Sequence, residues 1–178
     1  MRVLYRVRQF WHSLSASPAP QDLEQALAVL SLEQRALFAQ LQPAEQVHAL
    51  KIWNRLADQG ETQPELLVAA LLHDVGKLRY RLNPLQRAII VLVKAVNPEQ
   101  ARRWGCQPSS EWDDLSGWRK AFILAEQHPA WGAEMARQVG VAPLAERLIR
   151  EHDKPPRAGT MSYEDSLLQK LWAADNES

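Results

Sequence analysis

The sequence predicts an all-α protein folded as a single-domain helical bundle. Apolar residues recur at helical spacing along most of the chain, and no period-two alternation lasts long enough for a strand. Proline and glycine fall where helices begin and end, proline at the first helical position and glycine just past the last. The length, 178 residues, fits one domain able to bury a core.

Residues 1–14 read as a short basic amphipathic helix, with Val3, Leu4, Val7, Phe10, Trp11 and Leu14 on one face and Arg2, Arg6 and Arg8 beside them. We expect it to pack on the domain, the alternative being an acidic membrane surface; His12 is then a surface or packing residue. Residues 13–20 form a Pro/Ser linker, so the domain proper is residues 21–178. Residues 23–41 hold two short helices, the second capped by Ser31 with Gln34 three positions on.

Pro43 opens the next helix and Gly60 closes it, with Val47, Leu50, Trp53 and Leu56 at helical spacing. His48 shares a row with Ile52 and Leu56 and points to the edge of the buried face. Taken alone it is a core histidine bonded to a backbone carbonyl. Residues 66–72 are wholly apolar and predict a helix buried on every side, and His73-Asp74 sits at its end.

From Lys77 to Arg103 the chain is basic, with Lys77, Arg79, Arg81, Arg87, Lys94, Arg102 and Arg103 against Glu99 alone. Asn83-Pro84 starts a helix whose core is residues 88–93, and Asn97-Pro98 ends it. With the loop of residues 105–117 and its tryptophans, this makes a basic, aromatic insertion at about 79–118. It is either a lid that attracts an anionic substrate or a packed helix with a solvated basic face. Residues 118–127 are helical. His128 precedes Pro129 and so is pushed from the helical region; Pro129 opens a new helix that Gly140 closes, placing His128 at a joint. Pro143 opens a further helix ending at His152, where a protonated imidazole would also suit the helix dipole. Ser162 and Asp165 start the last helix, whose Leu171 and Trp172 share a face with Asp175.

An ionised carboxylate at the end of a buried helix costs several kcal/mol unless a partner takes up its charge. A metal ion is the usual partner, and an adjacent histidine and aspartate offer it nitrogen and oxygen. A His-Asp pair is common by chance, so the argument rests on where His48, His128, His152 and Asp175 fall.

The order His48, His73-Asp74, His128, His152, Asp175 resembles the HD-domain superfamily of metal-dependent phosphohydrolases, over roughly residues 43–178. Leu71-Leu72-His73-Asp74-Val75-Gly76-Lys77 is similar to its central motif. His128-Pro129-Ala130-Trp131-Gly132-Ala133-Glu134 resembles the segment that carries a further metal histidine in dinuclear members. Ile149-Arg150-Glu151-His152 looks like the next histidine segment, and Ala173-Ala174-Asp175 like the closing aspartate motif.

The resemblance implies an HD-type helical bundle and an enzyme, a phosphatase or phosphodiesterase. It would use a metal-bridging hydroxide to hydrolyse a phosphate ester or anhydride, of a nucleotide or another small anionic substrate. His48, His73, Asp74 and Asp175 would hold one metal. His128 and His152 would add a second, with Asp74 bridging. Lys77 would touch the substrate phosphate. Asp74 and Lys77 are thus the catalytic candidates, and Arg79 and Arg81 are the further candidates for phosphate contacts.

Two divalent cations per chain are expected. Imidazole and carboxylate ligands suit Mn²⁺, Fe, Co²⁺ or Ni²⁺, and four histidines argue against Mg²⁺ alone. The alternatives are a mononuclear nucleotidase, in which His128 and His152 only shape the pocket, and a non-catalytic module that binds a nucleotide as a signal. Residues 153–159 lack the His-His-Glu run and Gly-Tyr-Pro signature of the cyclic-dinucleotide phosphodiesterases. The ligand order is more similar to small dinuclear hydrolases, including those of symmetrical dinucleoside tetraphosphates, although the stretch from His73 to His128 is long for that group.

Charge and composition narrow the setting. The 21 basic and 21 acidic residues cancel, which argues against a dedicated nucleic-acid binder. One cysteine excludes an intrachain disulfide and suits a reducing compartment such as the cytoplasm. No apolar run is long enough to span a membrane, and residues 1–14 lack the apolar region of a signal peptide.

Overall fold

Pro20, Pro43, Pro64, Pro84, Pro98 and Pro143 each open a helix, where the missing N–H would be unpaired anyway. The computed structural model describes residues 20–106, 112, 115–155 and 162–177, with side chains from residue 23 on. The amphipathic segment 1–14, its linker through residue 19 and His12 lie outside the described residues. The helices are α1 (Pro20–Leu27), α2 (Leu32–Phe38), α3 (Pro43–Asp58), α4 (Pro64–Leu72), α5 (Pro84–Val96), α6 (Pro98–Gly105), α7 (Gly117–Gln138), α8 (Pro143–Glu151) and α9 (Tyr163–Glu177). A 3₁₀ turn, Val75–Arg79, joins α4 to the α5 region. The described residues contain no strand, and the molecule is an all-α bundle.

Local signals set the helix starts. Ser31 Oγ accepts from the Gln34 N–H while Gln34 reaches back to the Ser31 N–H. Asn83 and Gln86 cap α5 in the same reciprocal way, as do Ser162 and Asp165 at α9. Each such box satisfies two N–H groups that a helix end leaves unpaired.

The core is built around α4, whose residues 66–72 are all between 0 and 9% exposed. Helices α3, α8 and α9 pack against it, and α7 packs along the 3₁₀ turn and α8. The turn and α7 touch backbone to backbone. A Cβ on Gly76 would lie 1.9 Å from the His128 carbonyl oxygen and 2.7 Å from the Gly132 nitrogen. A Cβ on Gly132 would in turn meet Gly76 N at 3.1 Å. Only glycine at both places lets the two segments come this close.

Two expectations need correction. His128 does not stand at a joint: α7 runs unbroken through Pro129, and both residues are buried within it. Proline removes the bond to the carbonyl four residues back, here Ala125. That oxygen instead accepts from Lys94 Nζ at 3.4 Å, and packing against the 3₁₀ turn holds the helix together. Residues 88–93 are also not a core. Only Ile90 is buried, while Ala88, Val91 and Leu92 are exposed. Helix α5 has α6 and α7 on one side, with Ile90, Ala101, Ala121 and Phe122 forming a small second cluster.

Helix α6 is an element that the basic composition of residues 98–105 hides. Asn97 ends α5 and its side-chain oxygen accepts from the Gln100 N–H, starting α6 with no intervening loop.

Among the described residues no helix is long and apolar enough to cross a membrane.

Candidate metal centre

His73 ends α4, Asp74 precedes the 3₁₀ turn, His152 ends α8, and His48, His128 and Asp175 come from α3, α7 and α9. These elements converge on one point in the core. The residues form three overlapping groups: His48, His73 and Asp74; His73, His152 and Asp175; Asp74, His128 and His152. Within each group, one nitrogen or oxygen atom per residue lies within 4.8 Å of the others. All six ligand positions read from the sequence are therefore brought together.

The histidines are aimed by the backbone. His73 Nδ1 donates to the Ala70 carbonyl at 2.9 Å, His128 Nδ1 to Leu124 at 3.2 Å, and His152 Nδ1 to Ile149 at 2.8 Å. A carbonyl only accepts, so each Nδ1 carries a proton and each ring turns Nε2 inward. This fixing of ring and tautomer through the second nitrogen is what metal-binding histidines show. Buried His73 Nε2 has no hydrogen-bond partner, although Asp74 Oδ2 lies 3.4 Å away. A buried ring nitrogen without a hydrogen bond is costly in a finished core, and a bound cation would take up its lone pair. The donor set, imidazole nitrogen and carboxylate oxygen, fits a divalent transition metal.

Asp74 is 1% exposed and faces two ways. Its Oδ2 lies 3.4 Å from His73 Nε2 and its Oδ1 3.4 Å from His128 Nε2. Lys77 Nζ donates to Oδ2 at 2.5 Å. On the other side, His48 Nε2 donates to Asp175 Oδ1 at 2.9 Å.

The charges of the cluster support one another. Burial pushes the Asp74 carboxyl up, but the Lys77 ammonium and His73 outweigh it and hold it well below the usual range. Burial likewise raises Asp175, and the His48 hydrogen bond with the His73 charge overcomes this, bringing it down to about 2. Burial lowers His73, yet the carboxylates of Asp74 and Asp175 leave it above its ordinary value. Burial, with His73 and His128 as neighbours, drops His152 to about 3. His152 is thus a neutral nitrogen donor at neutral pH, as metal ligation requires.

The cations of this region occupy several places. Lys77 is beside Asp74. The Arg79 guanidinium lies 4.6 Å from the Trp131 ring centre and 5.9 Å from that of Trp112. Arg81 lines a separate cleft with Leu41, Gln42, Pro43 and Leu78. The cleft that contains Lys77 and His128 instead holds Arg87 and Lys94. Arg87 donates to Glu45 at 2.7 Å, and the Glu45 carboxylate, on a residue 5% exposed, also accepts from the Gln42 N–H. The sequence reading missed this pair. Glu45 lies one helical turn before His48, but nothing local reveals a partner on α5.

No protein-family model matches the chain, nor does any curated protein or solved structure.

Proposed function

We propose that the protein is a metal-dependent phosphohydrolase of the HD-domain type, binding two divalent cations per chain and acting on a phosphate ester or anhydride, as of a nucleotide. The observation that carries this reading is Asp74, whose two oxygens face histidines on opposite sides. Asp74 groups with His48 and His73 and also with His128 and His152, while His152 groups in addition with His73 and Asp175. A carboxylate so placed would be available to both groups of ligands, and two divalent cations held there would supply Lewis-acid chemistry.

Bound there, divalent cations would supply a water activated at neutral pH and offset phosphoryl charge. The residues of the chain do the remainder. Asp74, held ionised, keeps both half-sites in register. Lys77, half-buried and bonded to Asp74, would bind a phosphoryl oxygen and stabilise charge that develops there. Overall the water oxygen joins phosphorus, the bond from phosphorus to the leaving oxygen breaks, and that oxygen takes up a proton.

The test is metal content by plasma mass spectrometry on anaerobically purified protein, with Asp74→Ala alongside. About two transition-metal ions per wild-type chain and a loss of metal and turnover together in the variant are expected. About one ion would instead favour a mononuclear nucleotidase. No ion, even after Mn²⁺ and Fe²⁺ are offered, would leave the binding-module reading.

A further inference from the structure

The cleft beside the cluster has a composition that the proposed reaction does not explain. It lies between α5 and α7, has a volume of about 300 Å³, and reaches Lys77 and His128 at its inner end. That size is at the lower end for a small-molecule site. Its walls are Leu82, Ile90, Val91, Leu124 and Ala125. Its other lining groups are the His128 imidazole and the cations Lys77, Arg87 and Lys94, of which Lys77 pairs with Asp74 and Arg87 with Glu45.

No lining side chain is an amide, hydroxyl or carboxylate. A nucleobase edge or a sugar presents donors that need acceptors, and leaving them unpaired costs binding. Here the side chains offer an anion-attracting rim and an apolar wall. The wall reaches solvent at Val91, which is itself 43% exposed.

We infer that this cleft is the leaving-group subsite and takes the apolar body of an amphiphilic phosphate ester, an alkyl or prenyl phosphate, with its phosphoryl group at Lys77. The inference rests on the phosphohydrolase reading and narrows its substrate. Val91 is the specificity-determining position, because it both lines the cleft and reaches solvent, so a charge there changes the wall without opening the core.

The experiment is calorimetric titration of the full chain, supplied with Mn²⁺, with methylphosphonate, decylphosphonate below its micelle concentration, and AMP. Turnover of decyl phosphate, glycerol phosphate and AMP is measured beside it. Decylphosphonate should bind at least about 100-fold more tightly than methylphosphonate, given the carbon it buries. Val91→Glu should remove most of that gain, read as the ratio of decylphosphonate to methylphosphonate affinity, in which the repulsion common to both anions cancels. Leu32→Glu, at an exposed apolar residue on α2, should alter neither. Equal binding of the two phosphonates, tighter binding of AMP than of decylphosphonate, or equal sensitivity to both glutamate variants would overturn the subsite. Selective, Val91-dependent binding without turnover of any ester would preserve the subsite and remove the hydrolase reading. Turnover of AMP alone would do the reverse.

Discussion

Helices α4 and α5 each carry an unbroken run of apolar residues, and their surroundings are opposite. In α4, residues 66–72 are covered on every side by α3, α8 and α9. In α5, one side packs on α6 and α7, while Leu85, Val91, Leu92 and Val96 are between 43 and 85% exposed. Helix α4 ends in the candidate ligand pair His73-Asp74, so its packing holds that pair in place. Helix α5 forms one wall of the neighbouring cleft. The difference teaches that the bundle packs most tightly where the candidate ligands converge.

The sharpest test of this contrast is Leu71→Ala. Leu71 is fully buried, and its truncation should cost about 4 kcal/mol in denaturant unfolding. A cost under about 1 kcal/mol would mean that α4 is not the rigid centre. Gly76→Ala comes next, because its Cβ meets backbone, which cannot swing aside as a side chain can. About 3 kcal/mol is expected, together with a fall in metal content as α7 and His128 are pushed away. Unchanged stability and metal content would contradict the close approach of the turn and α7.

Arg87→Leu probes the attachment of α5 to α3. It leaves the Glu45 carboxylate buried with only the Gln42 N–H as a polar partner, for about 2 kcal/mol. Amide exchange should accelerate in α5 with α4 unaffected; equal acceleration in both helices would count against two unequal regions.

Acid should loosen the ligand centre by a route that α5 lacks. In metal-stripped protein, His152 takes up its proton only near pH 3, whereas in the unfolded chain it does so near its ordinary value of about 6.5. Below that value the unfolded state binds more protons, so stability is full above about pH 6.5 and falls as the pH drops towards 3. Asp175, down to about 2 when folded, extends the loss below its ordinary range. His73, raised in the fold, acts oppositely and only above about pH 6.5. Thermal melts from pH 7 to 4 should show the decline, and a flat profile would remove His152 as a buried neutral base. The smallest effect belongs to Leu92→Ala, which should stay within about 0.5 kcal/mol of wild type.

Much of this was legible beforehand because it is local. The capping boxes at Ser31 and Ser162 and the helix starts at Pro43, Asn83-Pro84 and Pro143 depend on residues a few positions apart, and they stand where the sequence places them. The six candidate positions were picked out by the resemblance of their order to the HD-domain superfamily and by the oddity of His73-Asp74 after an apolar run, and the fold brings them together. The continuity of α7 was not, because proline's penalty at residue 129 is offset by Lys94 from another helix and by the packing of the turn. The Glu45–Arg87 pair and the place of Arg87 and Lys94 in the cleft were hidden for the same reason: both join α5 to helices distant in sequence.

The sequence by itself determined the helical class, the helix starts and the set of residues able to ligate a metal, since periodicity, capping chemistry and side-chain type act over one or two turns. Only the tertiary structure decided which apolar run becomes core, which cations face the cleft, and how closely Gly76 approaches α7. Those outcomes depend on what each surface meets, and that is settled by the packing of distant segments.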